Sequence, residues 1–367
     1  MQQDVIIMEA KERMEKYLNE NIKKLVPYKL EELEYDIKLD ANENPFSIPE
    51  ILPEEAKNRL KERLFGELWN HYPDPEAKEL RWKIAAKNGL KIENILLGNG
   101  SDELLLYIFM AYLNSQKAVV VHPPCFSMYG IMAQEMNAPV VEVPLNPKNF
   151  ELDIEKMEKA VSKEENAVTV ITYPNNPTGQ LFNREYVERV IKKAKGLVII
   201  DEAYYEFAGD TFIDKINEYK NIIVLRTFSK AFGIAGLRIG YMAACKELVE
   251  SINKVRLPYN INKLTQAAAA ELMEYQDYFN DMIKELISER ERMIEVMSEI
   301  RELKLYKSDS NSIFFSTEKS EEIFKKMLEN RILIRKFKGN MSKFLRISIG
   351  KKEENDKVLG ILKDVCS

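Results

Sequence analysis

The sequence predicts an α/β fold: a mainly parallel sheet covered by helices, with a smaller α+β domain behind it. Three observations carry this. Short β-branched runs recur at 118–122, 140–143, 168–173, 197–201 and 222–225. Helix-period segments at 154–161 and 184–194 separate several of them, and apolar strands alternating with helices are what a sheet buried on both faces requires. Past residue 300 the order changes: strands at 312–316, 332–337 and 344–349 come with helices at 321–329 and 353–365.

Taken in order, residues 5–25 place Ile7, Met14, Leu18, Ile22 and Leu25 at near-helical spacing, which predicts a helix ended by Pro27. A polar segment with a proline turn, 38–46, follows and is expected to be a loop. A charged helix over 53–69 leads into the extended Tyr72-Pro73-Asp74-Pro75. A second helix, 76–88, stops at Gly89, the residue type that closes helices. The short strand 95–97 runs into Gly98-Asn99-Gly100-Ser101-Asp102-Glu103 and an apolar helix from Leu104. Residues 239–244 add a further strand, and 262 to about 300 read as one or two long helices. The expected division is an arm over 1–47, a large domain over 48–270, and a linking helix with the small domain over 271–367.

Composition excludes several classes. Apolar residues make up 45% of the chain, enough for a sizeable core, so disorder is not expected. The net charge is −5 with no basic block, which argues against nucleic-acid binding. The longest apolar run, 104–113, is too short to span a bilayer, and no signal peptide opens the chain. Three widely spaced cysteines suit a reducing cytoplasm. Two histidines without ligand spacing predict no metal site.

The chemistry gathers at strand ends. In α/β proteins ligands bind outside the carboxyl ends of the strands. Asn175-Asn176-Pro177-Thr178-Gly179 follows one strand, Asp201-Glu202-Ala203-Tyr204 the next, and Thr227-Phe228-Ser229-Lys230 a third. An amine, a carboxylate, an amide and a phenol on one rim, beside a glycine-opened helix, describe a pyridoxal phosphate site. Lys230 is the candidate nucleophile, because desolvation lowers a lysine toward the free amine. Asp201 suits the ring nitrogen, and Asn176 and Tyr204 the ring oxygen. Gly100, Ser101, Thr227, Ser229 and Arg238 suit the phosphate. Asp102 lies in the same helix turn, where its charge suits the helix dipole but opposes a phosphate. Phe126, after Pro123-Pro124, is placed to stack on the ring.

Asn176-Pro177-Thr178-Gly179, Asp201 with Tyr204, and Ser229-Lys230 with Arg238 resemble the fold-type I pyridoxal phosphate aminotransferases. The segments 39–45, Tyr72-Pro73, 98–103, Pro258-Tyr259-Asn260 and 345–350 are similar to the histidinol-phosphate aminotransferase branch. The likeness runs from about Leu25 to the C-terminus. Cys125 and Phe126 depart from it, standing where many relatives carry Thr and Tyr. The resemblance implies a homodimer with its sites at the subunit interface, Tyr72 reaching the neighbouring subunit's cofactor. It implies that Arg346 binds the substrate's anionic end; Asn44, Tyr72 and Asn176 are candidates for the substrate as well, and so is Arg335, since a half-buried strand rarely holds an arginine without an anion to pair it. It implies transamination between histidinol phosphate and 2-oxoglutarate. A phosphothreonine decarboxylase and an aromatic amino-acid aminotransferase on the same scaffold stay open as alternatives.

Overall fold

Two sheets organise the computed structural model, which describes residues 13–27 and 33–367. The larger has seven strands in the order β2-β8-β7-β6-β5-β3-β4. They are β2 (Ile95–Gly98), β3 (Ala118–Val121), β4 (Val140–Glu142), β5 (Asn166–Thr172), β6 (Leu197–Asp201), β7 (Ile222–Thr227) and β8 (Gly240–Ala244). All neighbours run parallel except at β8, which is antiparallel to β2 and to β7. Strands β6, β7 and β8 are buried along their whole length, which is why they carry no polar alternation.

The smaller sheet has the order β1-β11-β12-β10-β9. Its strands are β1 (Ile37–Leu39), β9 (Lys304–Leu305), β10 (Ser312–Ser316), β11 (Ile332–Lys336) and β12 (Phe344–Ser348). Strand β1 runs into the segment 38–46 expected to be loop. Its three residues are too few to show a period, and its partner lies almost 300 residues on: Ile37 pairs with Ile332 and Leu39 with Ile334. All four of these side chains are buried on one face.

The helices of the described residues include α1 (Glu20–Lys23), α2 (Ile48–Ile51), α3 (Glu54–Gly66), α4 (Lys78–Lys87), α5 (Ser101–Tyr112), α6 (Met128–Glu135), α7 (Ile154–Val161), α8 (Arg184–Lys193), α9 (Tyr205–Ala208), α10 (Lys246–Asn253), α11 (Lys263–Leu272), α12 (Gln276–Ser298), α13 (Ser320–Glu329) and α14 (Lys352–Cys366). Helix α12 buries Phe279, Met282, Ile283, Leu286, Arg290, Met293 and Met297, one stripe at helical spacing. It joins the two sheets, and its buried Arg290 donates to the Ser310 carbonyl at 2.9 Å.

The helix expected over 5–25 lies partly outside the described residues, and the rest of it is broken. Residues 13–15 are helical, the chain turns at 16–18, and α1 restarts after Asn19. Asn19 takes ψ 138°, and α1 buries none of its residues, so no apolar stripe holds the turns together. The segment is anchored instead by Asn21, whose Nδ2 donates to the Gln134 and Glu135 carbonyls, each at 2.9 Å.

Candidate active site

Lys230 stands just past the end of β7, and its Nζ donates to the Ala41 carbonyl at 2.7 Å. Burial, and then the charge of Arg346, push its ammonium down to about 8. About a tenth of it is therefore free amine at neutrality, far more than an ordinary lysine offers. Asn44 fixes the backbone of this corner: its Nδ2 donates to the Ala231 carbonyl at 3.1 Å and the Lys230 carbonyl at 3.3 Å. The amide expected at the substrate is thus committed to the loop that bears the nucleophile.

A cradle forms where α5 begins. Thr227, Gly240 and Gly98 lie in one row across β7, β8 and β2. A Cβ on Gly240 would come within 2.6 Å of the Ser101 nitrogen, so only glycine lets the helix start sit over the sheet edge. Gly100 takes φ +84°, and a Cβ there would lie 2.5 Å from Arg238 Nη2. Ser229 N donates to Thr227 Oγ1 at 3.1 Å, which turns both hydroxyls to one side. Arg238 reaches Asp102 at 3.2 Å, so Asp102 meets the cradle through the arginine. Glu103 ties the loop down, accepting from Asn99 N and from Asn260 Nδ2, each at 2.7 Å.

Asp201 ends β6 and is 7% exposed. Its Oδ2 accepts from the Tyr129 hydroxyl at 2.6 Å and its Oδ1 from Ala203 N at 3.1 Å. No cation among the described residues pairs with it, and burial pushes its carboxyl up to about 6 despite those two donors. Tyr129 in turn meets Thr172 Oγ1 at 3.0 Å. His122 is buried and pushed down to about 4, so it is neutral and its Nε2 accepts from Thr172 N at 3.2 Å. Phe126 meets Tyr129 edge to face, ring centroids 5.6 Å apart. Behind Asp201, the buried pair Arg226–Glu202 closes at 2.9 Å and the guanidinium lies 3.3 Å from the Tyr205 ring centroid. That pair holds the corner from which Asp201 and Tyr204 project.

The small sheet supplies the facing wall. Arg346 is 7% exposed; its Nη1 donates to Asn176 Oδ1 at 2.6 Å and its Nη2 to the Asp40 carbonyl at 2.5 Å. Arg335 is its register partner on β11, but its side chain is exposed. The loop bearing Asn176 is clamped to the same wall: Asp309 N donates to the Gly179 carbonyl at 2.7 Å, and Leu181 N to Asp309 Oδ2 at 2.9 Å. Tyr72 lies apart from these contacts, 79% exposed and stacked on Tyr259 with ring centroids 4.7 Å apart.

Lys230, Asp201, Tyr204 and Asn176 come to one rim from the ends of β7, β6 and β5, Arg238 from the turn before β8 and Arg346 from the middle of β12. Sequence reasoning missed Asn42, Tyr129 and Thr172. Tyr129 lies one helical turn beyond Phe126, which is a signal that periodicity carries; Asn42 sits inside a segment whose partners are too remote to read. The residues fit pyridoxal phosphate. A buried carboxylate without a cation matches a protonated ring nitrogen, and the helix start with its hydroxyls and Arg238 matches a phosphate.

A family model described as aminotransferase class I and II matches residues 34–362. A histidinol-phosphate aminotransferase of Caldanaerobacter subterraneus subsp. tengcongensis is 36% identical over 356 residues, covering 96% of this chain and 100% of that one. One from Aquifex aeolicus is 38% identical over 349 residues, covering 94% and 97%. The solved histidinol-phosphate aminotransferase of Sinorhizobium meliloti, in complex with pyridoxal-5'-phosphate, superposes with a TM-score of 0.85 at 25% identity, covering 95% and 97%. With the match spanning both sheets and every strand end of the rim, the chain belongs to the class I and II aminotransferase family.

Proposed function

We propose that this pyridoxal phosphate-dependent transaminase moves an amino group between L-histidinol phosphate and 2-oxoglutarate, a step of histidine biosynthesis in the cytoplasm. The observation that carries the reading is Lys230 set near Arg346: an ammonium pushed down to about 8, with the charge of a buried guanidinium fork helping to lower it. The cofactor supplies an aldehyde carbon that takes up the amino group and a ring that accepts the electron pair released at the substrate. Lys230 Nζ would anchor it, would be set free when the donor's amino group takes its place, and as a free amine would then take the proton from the amine-bearing carbon of the donor. Asp201 would stay ionised beside the ring nitrogen, Asn176 and Tyr204 would hold the ring oxygen, and Gly100, Ser101, Thr227, Ser229 and Arg238 would hold the phosphate. Phe126 would cover the ring.

Arg346 serves both donors. Its fork fits the carboxylate of glutamate and the phosphate ester of histidinol phosphate alike, which a lysine's point charge does not. Arg335, opposite it in the register, assists the phosphate. Turnover of histidinol phosphate with 2-oxoglutarate, without release of carbon dioxide from phosphothreonine, is the expected result with purified protein; the reverse pattern would sink the assignment. In single-turnover measurements Arg335→Ala should slow the histidinol phosphate half-reaction more than the glutamate half, by about 1.5–3 kcal/mol for a charged hydrogen bond. Equal losses would remove that role from Arg335.

The working form is proposed to be a homodimer. Phe65, Leu68, Trp69, Tyr72 and Leu257 are each more than half exposed, and large apolar groups clustered on a surface favour a protein partner. Tyr72 is a poor residue to leave in water and a suitable one to reach a second copy's cofactor.

A further inference from the structure

The turn after β1 carries a residue that the reading above does not use. Asn42 is 2% exposed and takes φ +53°, a left-handed conformation that asparagine tolerates better than most residues. Four hydrogen bonds hold it there. Its backbone N donates to Ser348 Oγ at 2.9 Å, and its carbonyl accepts from Asn311 Nδ2 at 3.0 Å. Ser348 Oγ returns a bond to Asn42 Oδ1 at 3.1 Å, and Asn42 Nδ2 donates to the Tyr204 hydroxyl at 3.2 Å.

The bonds run as one directed chain. A backbone N–H can only donate, so Ser348 Oγ accepts from Asn42 N and keeps its own proton to give. In the structure the oxygen end of the amide faces Ser348, and that proton goes to Oδ1. The NH₂ end must then face Tyr204. Tyr204 accepts there and is left with a hydroxyl proton that no atom of the described residues receives. Tyr204 is 4% exposed, so water does not readily take that proton either. Burial also holds the phenol above its usual range, which keeps it a donor. Lys230 Nζ lies 5.9 Å from the Tyr204 ring centroid, and it reaches the carbonyl of Ala41, the residue before Asn42.

We infer that Asn42 is a positioning residue: locked by Ser348, it accepts nothing from Tyr204 and so turns the Tyr204 hydroxyl proton into the site, toward the ring oxygen of the bound cofactor. The inference rests on the cofactor reading above and adds a direction to it. The chain of bonds starts on β12 and ends beside Lys230, so the small sheet sets a proton's orientation on the large one. Asparagine is required because aspartate, nearly the same shape, would accept where asparagine donates and draw the proton away.

The test uses the loaded enzyme. Borohydride reduction followed by peptide mass first shows whether the cofactor sits on Lys230; label elsewhere overturns both the cofactor reading and this inference. With Lys230 labelled, Asn42→Asp should weaken cofactor binding about tenfold, the worth of one redirected hydrogen bond to a polarised oxygen, and shift the absorbance band of the bound cofactor. Tyr204→Phe should do the same. In the Tyr204→Phe background Asn42→Asp should add nothing. An unchanged band in Asn42→Asp, or an equal shift with and without the tyrosine hydroxyl, overturns the proposal while leaving the cofactor reading intact. Should circular dichroism show Asn42→Asp unfolded, Ser348→Ala replaces it. That change unlocks the amide without adding charge, and a smaller shift of the band in the same direction is expected; no shift overturns the proposal.

Discussion

At the scale of single residues, Asp201 is a carboxylate placed where it costs stability until something positive meets it. Its folded-state value of about 6 lies above the ordinary 3.8. Between those limits the folded protein binds more protons than the unfolded chain, so stability falls as pH rises through the window and the penalty is complete above about 6. Cofactor-free Asp201→Asn protein should therefore be more stable than cofactor-free wild type at neutral pH, by on the order of 1–3 kcal/mol. The gain should shrink as the pH is lowered toward 4, and the same variant should lose turnover. Denaturant titrations at several pH values check this; equal stability at neutral pH would mean that the carboxylate is comfortably solvated. Residues of this kind were legible because strand ends announce themselves: Asp201, Lys230 and Asn176 each follow an apolar run. Thr172 and Asn42 were not, since what they do is defined by a partner 43 or 306 positions away; for Tyr129 the spacing from Phe126 offered a place but not its tie to Asp201, 72 positions on.

At the scale of elements, the start of α5 is the part with least room for change. Gly100→Ala asks an L-residue to hold φ +84° and drives a methyl to 2.5 Å from Arg238 Nη2. Arg238 must then leave the cradle. Cofactor affinity should fall at least tenfold, in line with about 1–3 kcal/mol of strain added to a lost phosphate contact. Gly339→Ala is the control: its φ is +61° but nothing lies within 4 Å of the added carbon. It should lower thermal stability and leave cofactor titrations unchanged. If both variants bind cofactor alike, the crowding at Arg238 carries no weight. Periodicity located α7 at its observed bounds and α8 to within a residue, because each has a buried stripe on an otherwise charged helix. It missed α6, where apolar and small residues go all the way round, and it joined 5–25 into one helix because spacing alone does not show the turn at 16–18 or that α1 buries none of its residues.

At the scale of the whole molecule, the exposed aromatic surface around Tyr72 and the recess of about 580 Å³ beside it, lined by Trp69, Tyr72, Tyr259 and Lys263 among others, bear on the proposed dimer. Mixing Lys230→Ala with Tyr72→Phe protein should give activity above the sum of the two alone, since a mixed pair has one site free of both changes. Activity no greater than that sum, after subunit exchange has been demonstrated by mass, would place Tyr72 in its own subunit's site. The pairing of β1 with β11 has a different consequence, one of time. Ile37 and Leu39 leave the ribosome long before Ile332 and Ile334 exist. At about 5–20 residues per second the gap is roughly 15–60 s. Through that interval the large sheet can assemble, but β1 has no partner strand and Arg346 has not been made. A nascent chain folded around Asp201 and Lys230 would still lack the arginine proposed to grip the substrate.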